Sequence, residues 1–168
     1  MKPEELRDLQ APLKDKYREH PGTAIITLKA EGKIGEGISC KVETGRALAE
    51  AGLHPATGGD GMLACSGDML LEALVACAGV TLRAVSTAIG VDIKDGVVKA
   101  EGDLDFRGTL GVSKEAPVGF KTIRLYFMLH TDATTEQLQT LAKLTERYCV
   151  VYQTLVKGVS IESSFNKQ

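Results

Sequence analysis

The 168-residue sequence has no C-x-x-C pair, and its three histidines, His20, His54 and His130, are scattered. Neither arrangement matches the spacing of zinc ligands, so no structural metal site is expected. An excess of one charge is also missing: 20 Lys and Arg stand against 22 Asp and Glu, interspersed, for a formal charge of -2. Without a basic stripe to neutralise phosphates, nucleic acid and anionic membranes are not expected partners. Gly58-Gly59-Asp60-Gly61 has neither the G-x-G-x-x-G nor the P-loop spacing, which argues against a nucleotide site. The charged N-terminus, MKPEELRDLQAPLKDKYREHPG, contains no apolar h-region, and the expectation is a cytoplasmic protein. No repeat or low-complexity tract interrupts the chain. With 43% hydrophobic and 25% charged residues it has the composition of one globular domain, 1–168, with residues 1–20 as a peripheral N-terminal helix.

What the chain does have is the stretch Cys65 to Val91, CSGDMLLEALVACAGVTLRAVSTAIGV. Its apolar residues cover nearly the whole helical circumference, so the helix is expected to be central, with Ser66 as N-cap, Asp68 in the first turn and Gly90 at the end. Glu72 and Arg83 interrupt it, and the longest uncharged run, Ala73 to Leu82, is short of the roughly 20 residues of a membrane span.

Around it, periodicity predicts a helix over 3–19. A hairpin follows, with strands Thr23 to Ala30 and Glu36 to Glu43 joined by a turn at Glu31-Gly32-Lys33. Thr44 to Leu63 reads as an irregular excursion. After the central helix come strands at Val97 to Arg107 and Phe120 to His130, separated by a loop over 108–119. A helix capped by Thr134 or Thr135 runs to the neighbourhood of Cys149, and Gly158 to Phe165 closes the chain as a strand. Local hairpins without strand-helix-strand alternation predict a mostly antiparallel α+β domain.

Four cysteines in a reducing compartment are not expected to form a static disulfide framework. Twelve helical residues separate Cys65 from Cys77 by roughly 18 Å, beyond disulfide reach. Cys40 and Cys65 are expected to be inert packed thiols. Cys77 is flanked by Ala76, Ala78 and Gly79, and Cys149 lies in the apolar, aromatic run Tyr148-Cys149-Val150-Val151-Tyr152.

Leu70-Leu71-Glu72-Ala73-Leu74-Val75-Ala76-Cys77, approached through glycines, and Cys149-Val150-Val151-Tyr152-Gln153-Thr154-Leu155 together resemble the OsmC and organic hydroperoxide resistance (Ohr) family. The resemblance spans most of the chain after the first helix. It implies an α+β, OsmC-like fold in which antiparallel sheets wrap a long buried central helix, within an intertwined homodimer. It further implies a thiol peroxidase for organic hydroperoxides, with hydrogen peroxide as a further substrate, without haem, flavin or metal. Cys77 would be peroxidatic, Cys149 resolving, and an external dithiol the reductant. The family arginine before the central helix corresponds to Arg46, which would stabilise the thiolate. Arg83, six residues after Cys77, emerges about 120° away on the helix and is expected to face solvent or an acid.

Two positions depart from the family pattern. Gly67 stands where a glutamate commonly precedes the peroxidatic cysteine by ten residues, and Val150 stands where a proline often follows the second cysteine. Asp68 is turned about 180° from Cys77 and cannot take over the glutamate's place, whereas Glu72 remains a candidate to orient Arg46. These departures suggest a divergent, OsmC-like branch. They keep a second class open, a dimeric non-catalytic protein that binds a small apolar ligand beside Cys77.

Overall fold

The computed structural model describes residues 2–20, 31–34, 39–43, 48–111 and 113–167. The anticipated strand Thr23 to Ala30 lies wholly outside these residues, as does Arg46. Helix α1 (Pro3–Glu19) has Pro3 in its first turn with Glu4 and Glu5, where the missing N–H and the negative charges suit the orphan amides.

Strand β1 (Glu31–Ile34) pairs antiparallel with β2 (Ser39–Glu43), in register Ile34↔Cys40 and Glu31↔Glu43. The expected turn at Glu31-Gly32-Lys33 is therefore strand, and the hairpin reverses later in the chain. Strand β3 (Leu48–Gly52) adds antiparallel to β2, with Cys40 opposite Ala51. Part of the expected excursion is thus sheet. Leu48-Ala49-Glu50-Ala51-Gly52 is a poor strand former alone, and it becomes one because β2 offers an unpaired edge. Two-residue β4 (Ala64–Cys65) joins β3 in parallel, giving the order β1-β2-β3-β4.

Helix α2 (Ser66–Ile89) starts one residue earlier than the expected cap implies, with Cys65 rather than Ser66 as N-cap and no side-chain cap bond. It ends at Gly90, whose φ of 72° is the left-handed conformation that favours glycine. By length and composition α2 could also cross a membrane. It nevertheless packs against β5, α4 and α5, and Leu74, Ala78, Leu82, Val85 and Ser86 form its buried stripe. Across from that stripe Val80 is 73% exposed. One chain therefore covers one side of the helix, where the sequence predicts enclosure on nearly all sides.

Strands β5 (Asp95–Asp103) and β6 (Thr122–His130) form a second antiparallel sheet, in register Val98↔Phe127 and Ala100↔Leu125. Between them, α3 (Phe106–Thr109) is capped by Asp105, which accepts from the Arg107 N–H. The inner face of this sheet meets α2 where Gly79 lies against Val98, close enough that an added Cβ would touch it at 3.8 Å. Helix α4 (Thr135–Tyr148) begins with a complete capping box between Thr134 and Gln137. Leu82, Val85, Val91, Ile93 and Leu141 form a buried cluster against which Phe127, Leu129, Ala133 and Leu144 pack, holding α2, β6 and α4 together.

The C-terminal region departs furthest from expectation. Val150–Lys157 is a helix, α5, separated from α4 only by Cys149, and 158–167 contains no strand. Val151, Tyr152 and Leu155 lie half-buried at helical spacing, so packing on α2 overrides the β-branched composition. Val159, Ile161 and Phe165 alternate as a strand would, but the segment pairs with no described strand of its own chain. Ile161 and Phe165 are 87% and 95% exposed.

Candidate active site

Two cysteines more than seventy positions apart in sequence come together where α5 packs on α2. Cys77 is half-buried on α2, while Cys149 is 1% exposed at the α4–α5 junction. Both are free thiols, as is Cys65, and Cys77 and Cys149 are near enough that each affects the ionisation of the other. The junction is held from both sides. The Cys149 N–H donates to the Thr145 carbonyl at 2.9 Å, and its own carbonyl accepts from the Gln153 N–H at 2.9 Å. The Gln153 side chain then reaches back to the Glu146 carbonyl at 2.8 Å, tying the second helix to the first.

The surroundings give the two thiols opposite characters. Burial pushes the Cys77 thiol up, but the Val151 N–H, the Cys149 thiol, the Val150 N–H and the Thr81 hydroxyl together hold it below its ordinary value. Burial also pushes the Cys149 thiol up. Cys77 adds to that as hydrogen-bond partner and as charge, and the Tyr152 and Val151 N–H groups only partly oppose it. Cys77 is therefore the thiol more easily ionised, and Cys149 the one held neutral. A thiolate is the nucleophilic form of cysteine, so the arrangement presents one activated sulfur with a second, protonated sulfur beside it.

Several parts of this setting were not among the residues singled out from sequence. Thr81 follows Cys77 by one helical turn, a spacing that puts both on one face and was readable. The α5 amides were not readable, because they depend on a helix breaking and restarting at Cys149. Thr145, one turn before Cys149, is 1% exposed and its hydroxyl has no hydrogen-bond partner. The small residues after Cys77 serve packing: Ala78 is fully buried and Gly79 meets Val98.

The remaining candidates lie elsewhere. Arg83 donates to the Ile93 carbonyl at 2.7 Å and so secures the turn after α2 instead of pairing with an acid. Glu72 is exposed. Cys65 lines a separate cavity of about 360 Å³ with His54, Gly67, Asp68, Phe106 and Phe120. There His54 stacks on Phe106 at 4.9 Å between ring centroids, and its Nδ1 accepts from the Ala56 N–H. The Gly67 position opens onto this cavity, with Phe120, Cys65 and Leu104 as its nearest neighbours.

A long helix flanked by two small sheets, with paired free thiols at its centre, defines a dithiol protein of the OsmC-like α+β fold. The sequence profile described as OsmC-like protein matches residues 59–164, and the chain belongs to that family. No curated protein matches it by sequence. Among solved structures, an OsmC-like protein from Mycoplasma pneumoniae superposes with a TM-score of 0.66 at 16% identity, covering 80% of this chain and 89% of that one. An organic hydroperoxide resistance protein OsmC from Legionella pneumophila gives 0.62 at 17% identity, over 80% and 91% of the two chains. The organic hydroperoxide resistance protein OhrB of Bacillus subtilis gives 0.53 at 20%, over 79% and 92%.

Proposed function

We propose that the protein is a cysteine-based peroxidase that reduces organic hydroperoxides in the cytoplasm, with hydrogen peroxide as a further substrate. The observation that carries this reading is the pairing of Cys77 and Cys149 with opposite thiol characters. Family membership and the names of the Legionella and Bacillus structures support it. The Cys77 thiolate attacks the hydroxyl oxygen of the hydroperoxide, the O–O bond breaks, and the alkoxide leaves and takes a proton from water to become the alcohol as Cys77 becomes a sulfenic acid. Cys149 then attacks that sulfur. The S–S bond forms, the S–O bond breaks, and the hydroxyl leaves with the Cys149 proton as water. An external dithiol reduces the disulfide and closes the cycle. Arg46 is assigned to thiolate and alkoxide stabilisation on the family pattern alone.

The working unit we propose is a homodimer in which a second copy covers the open side of α2. Support comes from Val80 on that side and from Ile161 and Phe165 in the C-terminal segment, all strongly exposed within one chain. Isolated apolar side chains need no partner, but an apolar helix side together with an alternating, unpaired tail does. Sedimentation is expected to show a dimer, and a stable folded monomer would overturn the assembly.

Stopped-flow consumption of cumene hydroperoxide by the reduced protein tests the activity. The wild type is expected to consume it rapidly and Cys77→Ser only at the background rate. Equal rates in the two would remove the peroxidase reading.

A further inference from the structure

A hydroxyl inside an α-helix has ready acceptors in the carbonyls three and four residues back. Ser86 and Thr87 of α2 share one, both donating to the Arg83 carbonyl, at 3.0 and 2.8 Å. Thr145 of α4 does not follow them. It is buried as deeply as Ser86, yet its Oγ1 has no hydrogen-bond partner among the described residues. An unbonded buried hydroxyl destabilises a fold, and valine would fill the same space without that cost. No group of the reduced site accounts for this hydroxyl, so its partner belongs to another state of the site.

The fold says which state. Leu141, Thr145 and Cys149 follow one another at intervals of four residues along one face of α4 and its C-cap, each 1% exposed, and α4 packs on α2. Leu141 lines one cavity with Leu82 of α2, while Cys149 comes beside Cys77. The path from Leu141 to Cys149 therefore runs antiparallel to the path from Cys77 to Leu82, and Thr145, midway, stands opposite the turn that begins at Ala78. Ala78, next to Cys77, is fully buried and offers only a methyl group.

We propose that Thr145 acts in the second step of the reaction: its hydroxyl donates a hydrogen bond to the oxygen that peroxide leaves on Cys77 and holds the sulfenic acid for attack by Cys149. The inference rests on the reading of Cys77 and Cys149 as a reacting pair. Oxidation adds one oxygen to Cys77 and so supplies the partner that the reduced site lacks. As Cys149 bonds to the Cys77 sulfur the S–O bond breaks, and the hydroxyl takes the Cys149 proton and leaves as water. Thr145 keeps its own proton throughout. Negative charge grows on the oxygen as the S–O bond stretches, so the hydrogen bond strengthens in the transition state and speeds the step.

Dimedone captures sulfenic acids and so competes with Cys149 for oxidised Cys77. After one equivalent of cumene hydroperoxide at fixed dimedone, mass spectrometry gives the ratio of dimedone adduct on Cys77 to Cys77–Cys149 disulfide. That ratio reads the second step whatever the speed of the first. Thr145→Val, which keeps the volume and removes the hydroxyl, is expected to raise it about tenfold, the worth of one hydrogen bond at the reacting oxygen. Thr145→Ser should return it to the wild-type value. Thr145→Val should also raise the midpoint of urea unfolding, because the unbonded hydroxyl is gone. An unchanged ratio, or a ratio in Thr145→Ser equal to that in Thr145→Val, would overturn the inference. So would a lowered midpoint, which would show the hydroxyl bonded in the reduced protein. Hydrogen peroxide oxidises an accessible thiolate without catalysis, so the ratio is measurable even where the protein consumes cumene hydroperoxide no faster than Cys77→Ser. The expected ratios without accelerated consumption remove the peroxidase and leave Thr145 its role; accelerated consumption with an unchanged ratio does the reverse.

Discussion

Cys77 and Cys149 share a side chain and a neighbourhood and differ in what supports them. Cys77 sits in the middle of a continuous 24-residue helix, where its own backbone N–H and carbonyl lie inside the helix and everything that changes its thiol comes from side chains and from another helix. Cys149 sits where one helix ends and the next begins, so its backbone organises the amides while its own sulfur is enclosed. The half-buried thiol is pulled down, and the fully enclosed one is pushed up by burial first and by its neighbour second. The contrast teaches that burial alone does not set thiol reactivity. Both cysteines are penalised by desolvation, and the number of donors aimed at each decides the sign.

The comparison breaks most visibly at Cys149→Ser. Without a resolving thiol the variant is expected to consume peroxide once per chain and then stop, with sulfenic acid on Cys77 and no disulfide on non-reducing mass spectrometry. Sustained turnover would mean that Cys149 is not the resolving thiol. The pH dependence sharpens the same contrast. Because Cys77 lies below and Cys149 above the ordinary thiol value, a pH titration upward should alkylate Cys77 first. Lowering the pH should slow disulfide formation before it slows the first oxidation, and alkylation in the opposite order would reverse the roles.

Smaller effects probe how the fold holds the pair together. Leu141 is 1% exposed in the cluster that joins α4 to α2, so Leu141→Ala is expected to cost about 2–5 kcal/mol in urea unfolding. It should also slow disulfide formation more than the first oxidation, because it loosens the helix leading to Cys149. Thr134→Ala removes one half of the α4 capping box and is expected to cost about 1 kcal/mol. Lying fifteen residues before Cys149, at the far end of α4, it should leave both thiol profiles unchanged. A shift in either would show that α4 transmits its capping to the site.

Much of the scaffold was legible in the sequence. The circumferential apolar residues of 66–89, Gly90 after them, the alternation in 122–130 and Thr134 before 135–148 are local signals, and local signals fix helix ends and strand faces. The less legible regions are those where a neighbour decides. Leu48–Gly52 is a strand because β2 has a free edge. Val150–Lys157 is a helix because α2 takes its apolar side, although its valines favour a strand. The alternation of Val159, Ile161 and Phe165 has the period of a strand, yet within one chain no described edge receives it.

For the site the division is similar. The sequence by itself determined which cysteines stand in motifs, that Cys65 and Cys77 are too far apart to pair, and that Thr81 lies on the face of Cys77, because all of these follow from spacing along one helix. That Cys149 comes beside Cys77 is a tertiary result, because no spacing along one element relates the two. It follows from the break at Cys149, where one helix ends and the next begins, and from the packing of α5 against α2.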